Sequence, residues 1–339
     1  METSYGRSSL MKKIVIALAV VIACTMCLTG CGSSGGSKSG DSVIIYTNAD
    51  EEAMDVMKKT LDDNGFKGEY EFKTFGTSEL GGKLMAEGSD IEADMIGMSS
   101  FYVDSSQDKN DMFTKLDKEN ETIDEFPDYY TPYLANQGSL FYNTEEVEKQ
   151  GLTVPKSIKD LAKSEYKGKI SVPDISGSST AWLMIQALIS TYGEDETKTI
   201  LKGIYANAGD NLEDSGSGPI KKVRSGEAAI GFGLRHQAIK DKEEGKPIDY
   251  IDPSEGDYTL NEGIAIIDHG DKDKVKKAQE MMNCIISKGR PDLMEYYPIA
   301  LYKGEKTNTK YEAPNSKTYK EPLTVDLLKK HMKLSEECK

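Results

Sequence analysis

The sequence is poor in the residues that carry hydrolytic and metal chemistry. Its 339 residues include three histidines and one tryptophan. Three scattered histidines do not make a zinc site. Apart from Gly32 to Gly36, inside a Gly/Ser stretch and not between a strand and a helix, no Gly-x-Ser-x-Gly run occurs, so a hydrolase built on a nucleophile and a positioned base has no visible footing. Cysteine is also scarce. Of five, Cys24, Cys27 and Cys31 fall near the start, leaving Cys284 and Cys338. Neither has metal-ligand spacing, and a disulfide between them is open but unsupported. Cys284 lies in the apolar helical run Ala278 to Ile286 and reads as a buried thiol. Positive charge is in deficit: 42 Lys and Arg face 57 Asp and Glu, a formal charge of -15. Such a surface repels nucleic acid and anionic membrane. It leaves a small anionic ligand open, because local dipoles rather than net charge set a pocket. Beyond the first thirty residues no apolar run is long enough to span a bilayer. There is no internal repeat, and low complexity is confined to one short stretch, which argues against a structural adhesin.

What is present begins with an address. Lys12 and Lys13 form a positive region, Ile14 to Leu28 is apolar, and Leu28-Thr29-Gly30-Cys31 follows. This run resembles the bacterial lipobox, which implies cleavage after residue 30 and a lipid on Cys31. Met1 and Met11 both stay open as starts. Gly32 to Ser37 is a Gly/Ser stretch of the kind that tethers a domain away from a membrane. The expected division is a signal over 1–30 and a tether over 31–41.

From residue 42 onward strand and helix signals alternate. Val43 to Tyr46 is a short apolar run, followed by a helical stretch from Asp50 to Asn64. Glu69 to Phe75 alternates at period two, as a half-buried strand does. A helix from Glu79 to Glu87 and a strand from Ala93 to Met98 follow. This β-α-β-α-β order implies a mainly parallel sheet covered by helices. Leu134 to Tyr142 reads as a strand leaving that unit. A second α/β unit begins at Lys169 to Pro173 and includes an apolar helix from Ala181 to Tyr192, with Trp182 read as core. Ser217 to Ser225 is helical, Ala228 to Gly233 is a strand, and Gln237 to Glu243 is helical. Gly263 to Ile267 is expected to return the chain to the first unit, and helices over 272–288 and 323–334 close it. The expected architecture is α/β with two lobes: 42–137, then 138–254, then a return over 255–339. Crossings are expected near Gln137 to Ser139 and between Ile251 and Gly263. A ligand then sits between the lobes, where strands end and helices begin.

Several segments carry a family resemblance: Val43 to Asp50, Gly76 to Leu80, Ala93 to Ile96, Ser139 to Thr144, Leu161 to Ile170, and Gly226 to Gly231. In this order and spacing they resemble the type 2 periplasmic-binding-protein superfamily, in the branch holding ferric-iron, phosphonate and sugar-phosphate binding lipoproteins of ABC importers. The resemblance covers residues 42–310. It implies a two-lobed fold that closes on a solute and docks on a membrane permease, with no catalysis and no cofactor. The ferric members place a histidine after the first strand and two adjacent tyrosines after the strand that here ends near Gly233. This chain has Tyr46-Thr47-Asn48-Ala49-Asp50 at the first place and Gly231-Phe232-Gly233-Leu234-Arg235-His236 at the second. Ferric ion loses its anionic oxygen ligands there, so no metal is expected. Tyr129-Tyr130 and Tyr296-Tyr297 are adjacent pairs at other positions.

The remaining reading is an anion site. Asp174 to Thr180, with Gly177, Ser178, Ser179 and Thr180, precedes a helix whose first N–H groups are unpaired and suited to phosphate-like oxygens. Gly76-Thr77-Ser78 is a matching start in the first lobe. Each is equally a plain Ser/Thr cap. Asp214 to Pro219, including Ser217, is a third candidate or a simple turn. Arg235 is a candidate bidentate partner for a phosphoryl or phosphonyl group, or a surface arginine. His236 is a further candidate, more ordinary as a packing residue. Asn48 and Asp50, with Glu51, stand where a carboxylate pairs with an amino group or sugar hydroxyls, or merely caps a helix. Ser99 and Ser100 read as a solvated loop, and Glu255 and Tyr258 stay open. The expected solute is a small phosphonate or phosphate, 2-aminoethylphosphonate ahead of a hexose phosphate. The expected setting is a monomer held by lipid on the outer face of the cytoplasmic membrane. Ferric binding on the same scaffold, and a sensor presenting its ligand to a receptor, are the alternatives.

Overall fold

In the computed structural model, residues 42–307 and 310–339 are described. The signal, the tether and Cys31 lie outside them. The chain opens with three βα units: β1 (Val43–Thr47), α1 (Glu51–Leu61), β2 (Tyr70–Thr74), α2 (Thr77–Glu87), β3 (Met95–Ser99) and α3 (Ser100–Asn110). β1 lies parallel between β2 and β3. Each strand's sequence follows its place. β3 is covered on both faces and every residue is buried, whereas β2, an edge strand, alternates polar and apolar and is only half-buried. α1 starts at Asp50, whose carboxylate accepts the Ala53 N–H at 3.2 Å. Glu51 and Glu52 in its first turn and Lys58 and Lys59 in its last complement the helix dipole.

The next strand, β4 (Tyr130–Asn143), holds the two lobes together. After α4 (Thr144–Gln150) come β5 (Ile170–Pro173), α5 (Ser179–Ala208), β6 (Leu212–Glu213), α6 (Gly218–Ser225), β7 (Ile230–Leu234), α7 (Arg235–Glu243) and β8 (Ile248–Ile251). β9 (Asp257–Ile266) is followed by α8 (Lys272–Cys284), α9 (Arg290–Tyr296), β10 (Ser316–Lys317) and α10 (Val325–Glu336). The strand order is β2-β1-β3-β9-β4-β7-β5-β6, with β8 on β4 and β10 on β9. β4 changes partners along its length. Tyr130 to Gln137 pair antiparallel with β9, and Gly138 to Asn143 pair with β7 and β8. One strand therefore belongs to both halves, and the fold is two-lobed α/β.

Several expectations shift in detail. The apolar helix expected to stop at Tyr192 does stop there: Gly193 (φ 78°) breaks α5, and a second helical segment, absent from the sequence reading, runs on to Ala208. A left-handed residue there is cheap only as glycine. α3 is absent from the sequence reading because its apolar residues, Phe101, Tyr102 and Val103, are consecutive and show no 3.6-residue spacing. Ser99 is not in a solvated loop but fully buried at the end of β3. Cys284 is half-buried and Cys338 buried, and both are free thiols. Trp182 is core. Its indole N–H donates to His331 Nδ1 at 2.8 Å, and its ring meets Phe101 edge-on at 4.9 Å. That contact packs α5 of one lobe against α3 of the other. Glu255 is buried in the crossing segment, accepting the Ile158 and Lys159 N–H groups and the Tyr192 hydroxyl, and Tyr258 is buried in β9.

Candidate functional site

A cleft of about 210 Å³ lies between the lobes. It is smaller than the ~300–1,000 Å³ of drug-sized pockets, so it suits a small solute. Its walls are mostly the loops that follow the carboxyl ends of strands. Asn48, Ala49 and Asp50 follow β1, and Phe75, Gly76 and Thr77 follow β2. Leu134 and Asn136 come from β4, Glu262 from β9, and Tyr297 follows α9. The opposite wall is Gly177 to Thr180 after β5, Asp214 to Ser217 after β6, and Leu234 at the end of β7.

Five helices therefore begin at the cleft: α1, α2, α5, α6 and α7. Each brings unpaired N–H groups and the positive end of its dipole. At α2 the cap is Gly76 and at α6 it is Ser217, and neither supplies a side-chain cap bond. At α5 the Ser178 hydroxyl accepts the Thr180 N–H at 3.2 Å. The loop before it is shaped by Asp174, which accepts the Ser176 N–H at 2.9 Å and pairs with Lys339 at 2.6 Å. The two loops of this wall interlock. A Cβ on Gly177 would lie 2.4 Å from the Asp214 carbonyl oxygen, and one on Gly216 would lie 2.2 Å from Thr180 Oγ1. Only glycine permits that approach.

The first lobe contributes acceptors. Glu262 is 3% exposed. Its Oε1 accepts from Ser99 Oγ at 3.2 Å and Asn136 Nδ2 at 3.3 Å, and its Oε2 from the Tyr133 hydroxyl at 3.4 Å. Burial pushes its carboxyl up to about 7, against the donors that favour the ionised form, and the nearby Asp50 charge adds to the rise. Ser99 Oγ also lies 3.5 Å from Ser179 Oγ, a contact that spans the lobes. Burial alone would raise Asp50. His236, the Tyr297 hydroxyl and the Ala53 N–H outweigh it and hold Asp50 below the usual carboxylate range. Asn48 Nδ2 donates to Thr77 Oγ1 at 2.9 Å. Among the described residues no lysine or arginine lines the cleft.

The structure thus brings Asn48, Asp50, Thr77, Gly177, Ser178, Ser179, Thr180 and Ser217 to one space. It does not bring Ser78, Arg235 or His236 there. Ser78 is set back in the first turn of α2, against the Tyr102 hydroxyl. Arg235 is buried and engaged elsewhere. Its Nε and Nη2 donate to the two oxygens of Asp252 at 2.7 and 3.1 Å, and Nη1 donates to the Tyr311 carbonyl. A guanidinium so matched has no fork left for a solute, so the expected bidentate contact is corrected. His236 sits behind Asp50, with Nε2 at 3.4 Å from Asp50 Oδ2, in ion-pair range without hydrogen-bond geometry. Its ring packs on Tyr297 at 4.2 Å. Sequence reasoning missed Glu262, Asn136 and Tyr297. A lone carboxylate inside a buried strand was the available signal for Glu262. Among the described residues no cluster of three His, Cys, Asp or Glu side chains is gathered as for a metal ion.

A fold of two lobes on shared strands, with helix starts facing a small polar cleft, defines a solute-binding protein. Residues 55–290 match the model of the bacterial extracellular solute-binding protein family, and the chain belongs to that family. Its relatives are diverse in ligand. The chain is 23% identical over 261 residues to the spermidine/putrescine-binding periplasmic protein of Escherichia coli (strain K12), covering 69% of this chain and 70% of that one. In structure it is similar to the periplasmic binding protein AfuA of Actinobacillus pleuropneumoniae, solved with fructose-6-phosphate. That match has TM-score 0.66 at 20% identity and covers 87% of this chain and 94% of the other. It is also similar to iron-bound HitA of Pseudomonas aeruginosa, with TM-score 0.68 at 17% identity, over 88% of this chain and 99% of the other. At these identities the structural likenesses carry the fold alone.

Proposed function

We propose that this chain is the solute receptor of an ABC importer, anchored by lipid on Cys31 to the outer face of the cytoplasmic membrane and acting as a monomer. It closes lobes 42–137 with 255–339, and 138–254, over a small phosphonate or phosphate compound, either 2-aminoethylphosphonate-like or a sugar phosphate. The closed form then docks on a permease. The observation that carries the reading is the convergence of the α2, α5 and α6 starts, with the hydroxyls of Thr77, Ser178, Ser179, Thr180 and Ser217, on one cleft. Such ends bind anions through N–H donors and dipoles without a cationic side chain. Closure adds contacts from the second wall to those of the first, which shifts the population toward the closed state. A sensor that presents the same ligand to a receptor shares every one of these features. Ferric iron has Tyr297 in its favour, on the cleft wall. That phenol donates to Asp50, and the tyrosine pair expected after β7 is replaced by Arg235 and His236.

Thermal unfolding tests the reading. At a hundred times Kd a ligand adds about 2.7 kcal/mol. Phosphonates or hexose phosphates are expected to raise the melting temperature, and ferric citrate is not. An orange-red iron complex on purification, or no shift with any phosphorus compound, overturns the anion assignment.

A further inference from the structure

The two walls differ in what accompanies their helix starts. The second lobe adds serine and threonine hydroxyls and one carboxylate, Asp214; the first lobe, besides the α1 and α2 starts and the Thr77 hydroxyl, carries a group of acceptors. Asp50 and Glu262 are two of them, and the Asp50 charge already disfavours ionisation of Glu262. The amides beside them are turned the same way. Asn136 gives its Nδ2 to Glu262 at 3.3 Å, and Asn48 gives its Nδ2 to Thr77 at 2.9 Å. The carbonyl oxygens of both, Asn48 Oδ1 and Asn136 Oδ1, are fully buried and have no hydrogen-bond partner among the described residues. Buried acceptors are nearly always matched by a donor. Here two amide oxygens and two carboxylates share a wall on which, among the described residues, no lysine or arginine stands.

A ligand hydroxyl would satisfy one acceptor but leave the Glu262 charge uncompensated, since His236 faces Asp50 and not Glu262. A primary ammonium carries three donors and a positive charge, which is what this wall is short of. We propose that Asp50, Glu262, Asn48 Oδ1 and Asn136 Oδ1 form a subsite for the protonated amine of the solute. Glu262 is then the residue that selects an amine over a hydroxyl at that end. The inference rests on the reading that this cleft is the ligand site, and it narrows the solute class. The solute is a zwitterion, its anionic end on the helix starts and its ammonium on the first-lobe floor. Such a molecule ties the two lobes together only when both ends are engaged.

The test is titration calorimetry of the full mature protein at pH 7.5 with four probes: 2-aminoethylphosphonate, ethylphosphonate, glucose 6-phosphate and putrescine. The first two differ only in the amine. Aminoethylphosphonate is expected to bind at least 30-fold tighter than ethylphosphonate. Glu262→Gln is expected to shrink that ratio at least 10-fold, by weakening aminoethylphosphonate. Thermal unfolding of Glu262→Gln checks that it folds, and the wild-type ratio needs no variant. Ethylphosphonate binding within threefold of aminoethylphosphonate overturns the amine subsite and leaves the anion reading standing. Glucose 6-phosphate binding tighter than aminoethylphosphonate does the same. Putrescine alone binding, weakened by Glu262→Gln, keeps the amine subsite and overturns the anion reading. Failure of both amine-bearing probes to bind overturns the subsite.

Discussion

Glu262 is a carboxyl held in the wrong medium for its charge, and replacing it with glutamine measures the cost. The side chain keeps its shape, and the carbonyl of Gln accepts from Ser99 and Asn136 while its amide faces the Tyr133 hydroxyl, which can accept. Only the charge is removed. The native carboxyl is pushed from 4.5 up to about 7 by burial. Between those values the native state keeps a proton that the unfolded chain has lost, so wild-type stability falls as pH rises through that window. Above pH 7 the whole penalty is present. A rise of this size corresponds to at most about 3 kcal/mol. For a domain of this length that is about 4–6 °C in melting temperature. Ligand-free Glu262→Gln should therefore melt some degrees above wild type at pH 8. The two should agree at pH 4, where both side chains are neutral. Scanning calorimetry across pH 4 to 8 reads the difference. Equal melting temperatures at pH 8, or a variant less stable at every pH, would refute the reasoning.

Three further outcomes follow from the geometry. Arg235→Met breaks a buried pair with Asp252 and should cost about 3–5 kcal/mol of stability, with solute affinity changed less than about fivefold; unchanged melting with a hundredfold loss of affinity would return the guanidinium to the cleft. Gly177→Ala drives a Cβ toward the Asp214 carbonyl, 2.4 Å away. It should lower stability by about 1–3 kcal/mol and solute affinity at least tenfold, measured by calorimetry, and a neutral substitution would mean the loops are not locked. Burial lowers His331 to about 4, and its Nδ1 accepts the Trp182 N–H. The unfolded chain takes up a proton near pH 6.5 that the native state refuses, so this histidine costs stability as pH falls from 6.5 toward 4. His331→Gln should flatten that acid limb, followed by Trp182 fluorescence, and an unaltered limb would discount it.

Much of the scaffold was legible because it is written in periodicity. The apolar run at Val43 and the alternation from Glu69 to Phe75 mark a covered and an edge strand, and both form. The helix starts at Gly76, Ser178 and Ser217 were legible because Gly, Ser and Thr at a strand end have few other uses. What failed was partner choice. Arg235 stands at the start of α7, beside the cleft, as its position suggests. Yet Asp252, seventeen residues on, reaches it only because the crossing segment folds back there. No local pattern encodes that meeting. Glu262 is set opposite Ser99 and Leu134 by the β9 pairings with β3 and β4, a register that sequence order alone does not fix. Tyr297 was weighed only as half of an adjacent pair. Its place on the cleft depends on how α9 packs against α1 and α7.

The central claim is that opposed helix starts and a first-lobe acceptor wall together select a small phosphorus-bearing amine. Titration of the ligand-free protein with 2-aminoethylphosphonate tests it most directly. The account predicts saturable one-to-one binding, weakened at least 30-fold when the amine is removed from the molecule and lost when the phosphonate is. Absence of any binding heat, in protein that binds ferric ion or a phosphorus-free amine, would contradict it.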